Sequence, residues 1–290
     1  MLQFLLLATV FLCTTEAWNK DMENPNLYQG DIQLTPQEEE RLKNKMSPFG
    51  SIKDKRWTNK IIPFVIDNTL NQTTRQAIND AIADYHTYTC LRFVPRINQP
   101  NYIRFTNGNG CSSPVGMSGG VNVVTLGKGC GDKGTALHEI GHSVGLHHEQ
   151  SRPDRGRYVN INLNNLDPKY NAAFNFDISR EIDSLNTEYD LRSMMHYSSE
   201  AFAKPGLKTI TTVDPKNMKY IETYNQIIGF SVVDVQQIRL MYSCPAGGPL
   251  PNNCIDKDKT ADCAGWQKAG YCNTNKPYMY FNCRKTCNVC

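Results

Sequence analysis

The stretch His138-Glu139-Ile140-Gly141-His142-Ser143-Val144-Gly145-Leu146-His147-His148-Glu149 constrains this chain more than any other. On a helix, residues four apart project from one face, so His138 and His142 can offer two imidazoles to a single ion. Gly145 accepts the left-handed conformation of a C-terminal cap and marks where that helix stops. The chain then turns back and can deliver His148 as a third nitrogen. Glu139 points toward the same cleft but is not needed as a ligand. Three protein ligands and one open position suit a catalytic zinc rather than a structural one. A lone His-Glu-x-x-His turns up by chance on solvated helices. The added glycine and third histidine, each three residues further on, remove most of that coincidence. His147 lies out of phase and is read as non-ligating.

Cysteine usage sets the compartment. Eleven cysteines among 290 residues are too many for an ordinary cytosolic enzyme, and six crowd into the last 37 residues. That pattern belongs to an oxidised, extracellular protein. Leu2 to Leu12 is a mostly apolar run of signal-peptide length, and Ala17 is a small residue suited to a cleavage site. Residues 1–17 are therefore read as a signal peptide and the mature chain as secreted. Its removal takes Cys13 away and leaves ten cysteines, an even number. No later segment approaches about 18 apolar residues, so no membrane span is expected. A net charge of +3, with Lys and Arg scattered, gives no reason to expect nucleic acid as a partner. At 40% apolar, the chain can bury one ordinary core plus a small module.

Residues 18–56 are polar and charge-balanced, with a solvated helix possible at Gln37 to Lys43. They end at Lys53-Asp54-Lys55-Arg56, a basic site of the kind secretory proteases cut, which after a signal reads as the end of a propeptide; an exposed charged loop is the alternative. From Trp57 the texture changes. Lys60 to Ile66 reads as a strand that starts at a sheet edge, because Pro63 cannot donate to a ladder. Asn71 to Tyr88 carries a helical apolar stripe at 78, 81, 82, 85 and 88. Asn101 to Thr106 is a second strand candidate, and Gly108 to Gly131 a glycine-rich loop-and-strand region holding Cys111 and Cys130. Ser231 to Tyr242 reads as a helix opened by a Ser231/Asp234 capping box, with a stripe at 232, 235, 238 and 241. Residues 245–253 form a Pro/Gly linker before the cysteine-dense 254–290.

With these residues in view, residues 57–244 resemble the metzincin metalloproteases, and among them the astacins. The run Glu149-Gln150-Ser151-Arg152-Pro153-Asp154-Arg155 resembles the continuation of the astacin zinc motif. Ser193-Met194-Met195-His196-Tyr197 looks like its Met-turn, and Gly110 to Gly116 with Leu126 to Cys130 resemble the edge segment that binds substrate. The fold class this implies is α+β: a two-lobed astacin-like catalytic domain with a twisted sheet, a zinc-site helix and a mostly irregular C-terminal lobe. The resemblance further implies one Zn2+ held by His138, His142 and His148, with Glu139 as general base. Met195 is then the floor beneath the ion, and Tyr197 a donor to the developing oxyanion. Tyr28-Gln29-Gly30-Asp31 resembles the prosegment motif of the family with tyrosine for phenylalanine, which makes Asp31 the metal ligand of the zymogen; an ordinary turn is the alternative. The family buries its new N-terminus near the residue that is Glu149 here.

The last 37 residues resemble the ShK-toxin-like (ShKT) module appended to nematode astacins, on the cysteine spacing with Asp256, Trp266 and Cys283-Arg284-Lys285-Thr286-Cys287. Six cysteines allow fifteen pairings; the family implies Cys254–Cys290, Cys263–Cys283 and Cys272–Cys287, and Cys90–Cys244 and Cys111–Cys130 in the catalytic domain. Pro277 between Lys276 and Tyr278 interrupts the Lys-Tyr pair of channel-blocking toxins. Many astacins place an arginine before the last helix that favours an acidic residue after the scissile bond, and Ile227 stands there instead. Asn71-Gln72-Thr73 is a glycosylation sequon. The partners this reading implies are an activating protease and protein or peptide substrates, with extracellular matrix or cuticle among the candidates. A reprolysin-like protease and a secreted binding protein are the rival readings; Tyr197 with Glu149 speaks against the first, and an intact Glu139 against the second.

Overall fold

The computed structural model describes residues 20–44, 55–171, 175–177, 183–222, 229–251, 256, 262–275, 278–279, 282–283 and 285–287. The expected signal peptide, Lys53-Asp54, Ile227, Lys276-Pro277 and the Cys254–Cys290 bridge lie outside them. A five-stranded sheet organises the first half of the catalytic region, in the order β2-β1-β3-β5-β4. Its strands are β1 (Ile61–Ile66), β2 (Arg92–Pro95), β3 (Tyr102–Thr106), β4 (Cys111–Ser112) and β5 (Val121–Leu126). All neighbours run parallel except β4, which pairs antiparallel with β5 and forms the edge facing the site.

The expected edge position of the first strand is not what the fold adopts. β1 is interior, flanked by β2 and β3. Pro63 is tolerated because β3 joins β1 only from Phe64 onward, so the missing N–H precedes that ladder. Alternation on β3 and β5 sends Ile103, Phe105, Val124 and Leu126 inward. There they meet two helices, α2 (Gln72–Tyr88) and α3 (Lys133–Val144). Asn71 caps α2 by accepting from the Thr74 N–H at 2.9 Å. The expected stripe on α2 is buried at Ile78, Ala81, Ile82 and Tyr85, while Tyr88 is only partly covered.

The second half carries little regular structure: a two-stranded ribbon, β6 (Val159–Ile161) with β7 (Ile210–Thr212), and the closing helix. A short helix in the N-terminal segment is α1 (Pro36–Lys43), and the closing helix before Cys244 is α4 (Val232–Met241). Helix α1 is less solvated than its sequence suggests, because Glu38 is buried and ion-paired with Lys55. On α4 the capping box is formed, and Val235, Ile238 and Met241 are buried. Val232 instead stays 39% exposed, because it opens the first turn and Asp234 takes the inward place.

Disulfides join Cys90 to Cys244, Cys111 to Cys130, Cys263 to Cys283 and Cys272 to Cys287. In the C-terminal module, α5 (Cys263–Lys268) and α6 (Tyr271–Thr274) surround a small core of Cys263, Met279 and Cys283 with Trp266 and Tyr278 alongside. Among the described residues, no helix is long and apolar enough to cross a membrane.

Asp234 ties the closing helix to the loop that carries Ser193 and Met194. Its carboxylate accepts from Ser193 Oγ at 2.5 Å, Met194 N at 3.0 Å and Ser231 N at 2.8 Å. Burial raises its pKa to about 6, against the pull of those donors. Asp234→Ala leaves three donors without an acceptor in a closed site and should cost about 2–4 kcal/mol. Denaturant unfolding of the full chain measures this, and Asp234→Asn, which keeps one acceptor oxygen, should lose less.

Candidate metal centre

Helix α3 is held along its whole length. Asp132 caps it by accepting from Thr135 N at 2.9 Å, and the Tyr85 hydroxyl donates to Leu137 O at 3.0 Å. Near the C-terminus, Trp57 Nε1 donates to Ser143 O at 2.8 Å and the Tyr242 hydroxyl to Val144 O at 2.9 Å. Gly145 ends the helix with φ +112°, the left-handed cap that its position in the sequence suggests. The reversal brings His148 back beside His138 and His142, with ring centroids 4.7–5.3 Å apart.

Each imidazole is oriented by its outer nitrogen. His138 Nδ1 donates to Met194 O at 2.9 Å, His142 Nδ1 to Leu146 O at 2.9 Å, and His148 Nδ1 to the Gln29 side-chain oxygen at 2.8 Å. Because those acceptors are carbonyl oxygens, the protons sit on Nδ1 and the Nε2 lone pairs point inward. They converge on Asp31, with His138 Nε2 and His148 Nε2 at 3.2 and 3.3 Å from Oδ2 and His142 Nε2 at 3.6 Å from Oδ1. Four acceptors therefore face one another with no hydrogen between them, and His142 Nε2 and Asp31 Oδ1 have no hydrogen-bond partner at all. Such a cluster is stable only around a cation. Ligands about 2.0–2.1 Å from a tetrahedral zinc are about 3.3 Å from one another, which matches the observed spacing. The group fits one zinc ion.

Electrostatics separates the two carboxylates. Burial alone would raise the pKa of Asp31, but positive charge within the cluster holds it well below the usual range. Burial, then the charge of Asp31, pushes Glu139 well above its ordinary value. Burial drives His148 down to about 3 and lowers His138, keeping both neutral as ligands must be. Both oxygens of Glu139 are buried and lack partners. His147 stays outside the cluster.

Beneath the ligands, Met195 is 2% exposed, and its sulfur would lie 2.9 Å from a Cβ added at Gly141. The Tyr197 ring centroid is 4.5 Å from that of His148, and its hydroxyl donates to the Gln29 carbonyl oxygen. Glu149 is buried, accepts from Arg152 at 3.0 Å and from Asp190 N at 2.8 Å, and has its pKa raised to about 8 by burial. Upstream, Arg56 Nη1 donates to Met241 O at 2.7 Å, and the next residue, Trp57, is buried.

Residues 28–32 enter this centre as a tight turn. Ile32 N donates to Tyr28 O at 3.0 Å, with Asp31 at the tip. Gly30 has φ +87°, and a Cβ there would meet Met22 O at 2.5 Å, so only glycine fits. Beyond the tip the chain runs parallel to β4: Ser113 N donates to Asp31 O at 2.9 Å and Gln33 N to Ser113 O at 3.0 Å. Before it, Glu23 accepts from Phe202 N and from the Tyr170 hydroxyl, each at 2.9 Å. Gln29, which orients His148 and receives Tyr197, is a site residue that sequence reasoning missed. Its only signal is its place beside Asp31.

The astacin peptidase family model matches residues 50–243, and a ShK domain-like model matches residues 253–290. Zinc metalloproteinase nas-8 of Steinernema carpocapsae is 35% identical over 251 residues, covering 86% of this chain and 58% of that protein. Protein SpAN of Strongylocentrotus purpuratus is 36% identical over 246 residues, covering 78% of this chain and 39% of that protein. Both relatives are thus considerably longer than this chain. Among solved structures, high choriolytic enzyme 1, a hatching enzyme zinc-protease from Oryzias latipes, is 34% identical with a TM-score of 0.59, covering 66% of this chain and 94% of that one. With the sheet, the histidine cluster and the matched two thirds of its length in agreement, the chain belongs to the astacin family and carries a C-terminal ShK-like domain.

Proposed function

We propose that this chain is a secreted zinc-dependent endopeptidase made as a zymogen, with Asp31 as its latency ligand. The observation that carries the reading is the three-histidine cluster whose fourth place is filled by a carboxylate from the prosegment. When bound, the ion would supply Lewis-acid polarisation of a peptide carbonyl and would acidify a water in the place Asp31 now holds. Glu139 takes a proton from that water and returns it to the leaving amine, a role supported by its unpartnered oxygens and raised pKa. Tyr197 already donates to a peptide carbonyl oxygen, that of Gln29, which supports its service to the oxygen of a scissile bond as charge develops there. His138 and His142 are kept in the ligating tautomer by Met194 and Leu146 whether or not the prosegment is present.

The domain plan that goes with this reading is a signal at 1–17, a propeptide at 18–56, a peptidase domain at 57–244 and a ShKT module at 254–290. Its substrates are extracellular proteins. With Ile227 where an arginine would pair a carboxylate, the enzyme has little preference for an acidic residue after the scissile bond.

Purified full-length chain should carry one zinc by elemental analysis, and His142→Ala close to none. Processed protein should cleave casein in a chelator-sensitive way, whereas Glu139→Ala should keep its zinc and lose roughly 100- to 10,000-fold in rate. Equal hydrolysis by both would remove Glu139 from the mechanism. Asp31→Ala should make the unprocessed chain active, measured as peptide cleavage before any prosegment removal.

A further inference from the structure

The prosegment fills the cleft that a substrate must enter, so its side chains report what the cleft can hold. Tyr28 is 1% exposed and packs in one cluster with Ile32 and Val115. Its hydroxyl donates to Asp177 Oδ2 at 2.7 Å. Burial, then this hydrogen bond, pushes the phenol well above its ordinary pKa, so it remains the donor. Gln29 Nε2 donates to Asp177 O at 3.4 Å, so the turn touches this residue twice. The nearby cation does not neutralise the seat by direct pairing. Arg155 sends Nη1 to Gln150 O at 3.0 Å and Nη2 to Phe176 O at 2.9 Å, and among the described residues no ion pair to Asp177 forms. Removing the prosegment takes away Tyr28 and Ile32 but leaves Val115 and Asp177 as the apolar wall and acidic end of an opened seat.

We infer that Asp177 determines substrate specificity: the seat takes a long side chain with an apolar stem and a hydrogen-bond donor at its tip, tyrosine, lysine or arginine, and excludes carboxylates. Within the endopeptidase reading on which this rests, the seat adjoins the metal group, because Tyr28 enters it three residues before Asp31 and its apolar wall, Val115, follows β4 closely. The mature enzyme then reads, near the scissile bond, the same group that its own prosegment presents. A phenol, an ammonium or a guanidinium satisfies the Asp177 carboxylate. Phenylalanine leaves it unpaired, and glutamate repels it.

The test is a peptide-library cleavage profile of the full chain after prosegment release, compared with Asp177→Asn and Asp177→Leu. One position flanking the cleaved bond should favour Tyr over Phe by about tenfold in the parent protein. Lys and Arg should be enriched there and Glu depleted. Asp177→Asn should lose the Lys and Arg enrichment while keeping Tyr, and Asp177→Leu should lose both. A second arm measures binding of a synthetic peptide of residues 20–44 to the processed protein by calorimetry. Tyr28→Phe should weaken binding to the parent about tenfold and leave binding to Asp177→Leu unchanged. A profile with no such preference, or one that Asp177→Leu does not alter, overturns the inference even if Tyr28→Phe weakens the peptide, since the contact would then serve latency alone. Absence of cleavage by the zinc-loaded parent overturns the endopeptidase reading itself, and the preference with it.

Discussion

Mutual repulsion among four electron-rich atoms is the constraint on which the rest of this structure depends. Three neutral imidazoles and one carboxylate are brought within 4.8 Å of one another while the protons that could separate them are engaged elsewhere. With those protons engaged, the surrounding architecture enforces the cluster and a cation at its centre relieves the repulsion. The anchors along α3 enforce it from one side. From the other, Asp234 fixes Ser193 and Met194, and Met194 in turn fixes His138. A cap on the last helix of the catalytic region is thereby two hydrogen bonds removed from the first metal ligand.

The same geometry explains how residues 28–32 are seated. The turn at Gln29–Asp31 brings a carboxylate to the open corner of the cluster, a carbonyl to Tyr197 and an amide to His148. It thus occupies the ion, the oxygen donor and the outer face of a ligand at once. Gly30 makes this reach possible, because any side chain there would strike the backbone of Met22.

Much of the centre was legible before any coordinates. The spacing of His138, Glu139, His142, Gly145 and His148 encodes a helix face, a stop and a return, all local consequences of backbone geometry. The Ser231/Asp234 box was legible for the same reason. Strand order was not: Pro63 argues for an edge only if both neighbouring ladders span it, and where β3 begins to pair is a tertiary fact. Val232 was misjudged because a periodic stripe does not say where on it the first turn meets solvent. Asp177 left no trace at all, since its meaning comes from Tyr28, 149 positions earlier. Gln29 was hidden by its ordinariness: a polar residue in a turn carries no chemistry until a histidine nitrogen is placed against it.

One consequence of the Cys90–Cys244 bridge concerns mechanical load. The chain leaves the catalytic region immediately after Cys244, and everything beyond it, including the small cysteine-rich module, hangs from that point. Tension applied through an anchored tail passes across the bridge into the residues that follow α2, and so into the sheet. Helix α4 meets the tail near its far end, where Arg239 donates to Pro249 O at 2.6 Å, away from the aspartate near its start. A pull on the tail is thus taken up by the disulfide and the sheet before it reaches the histidine cluster.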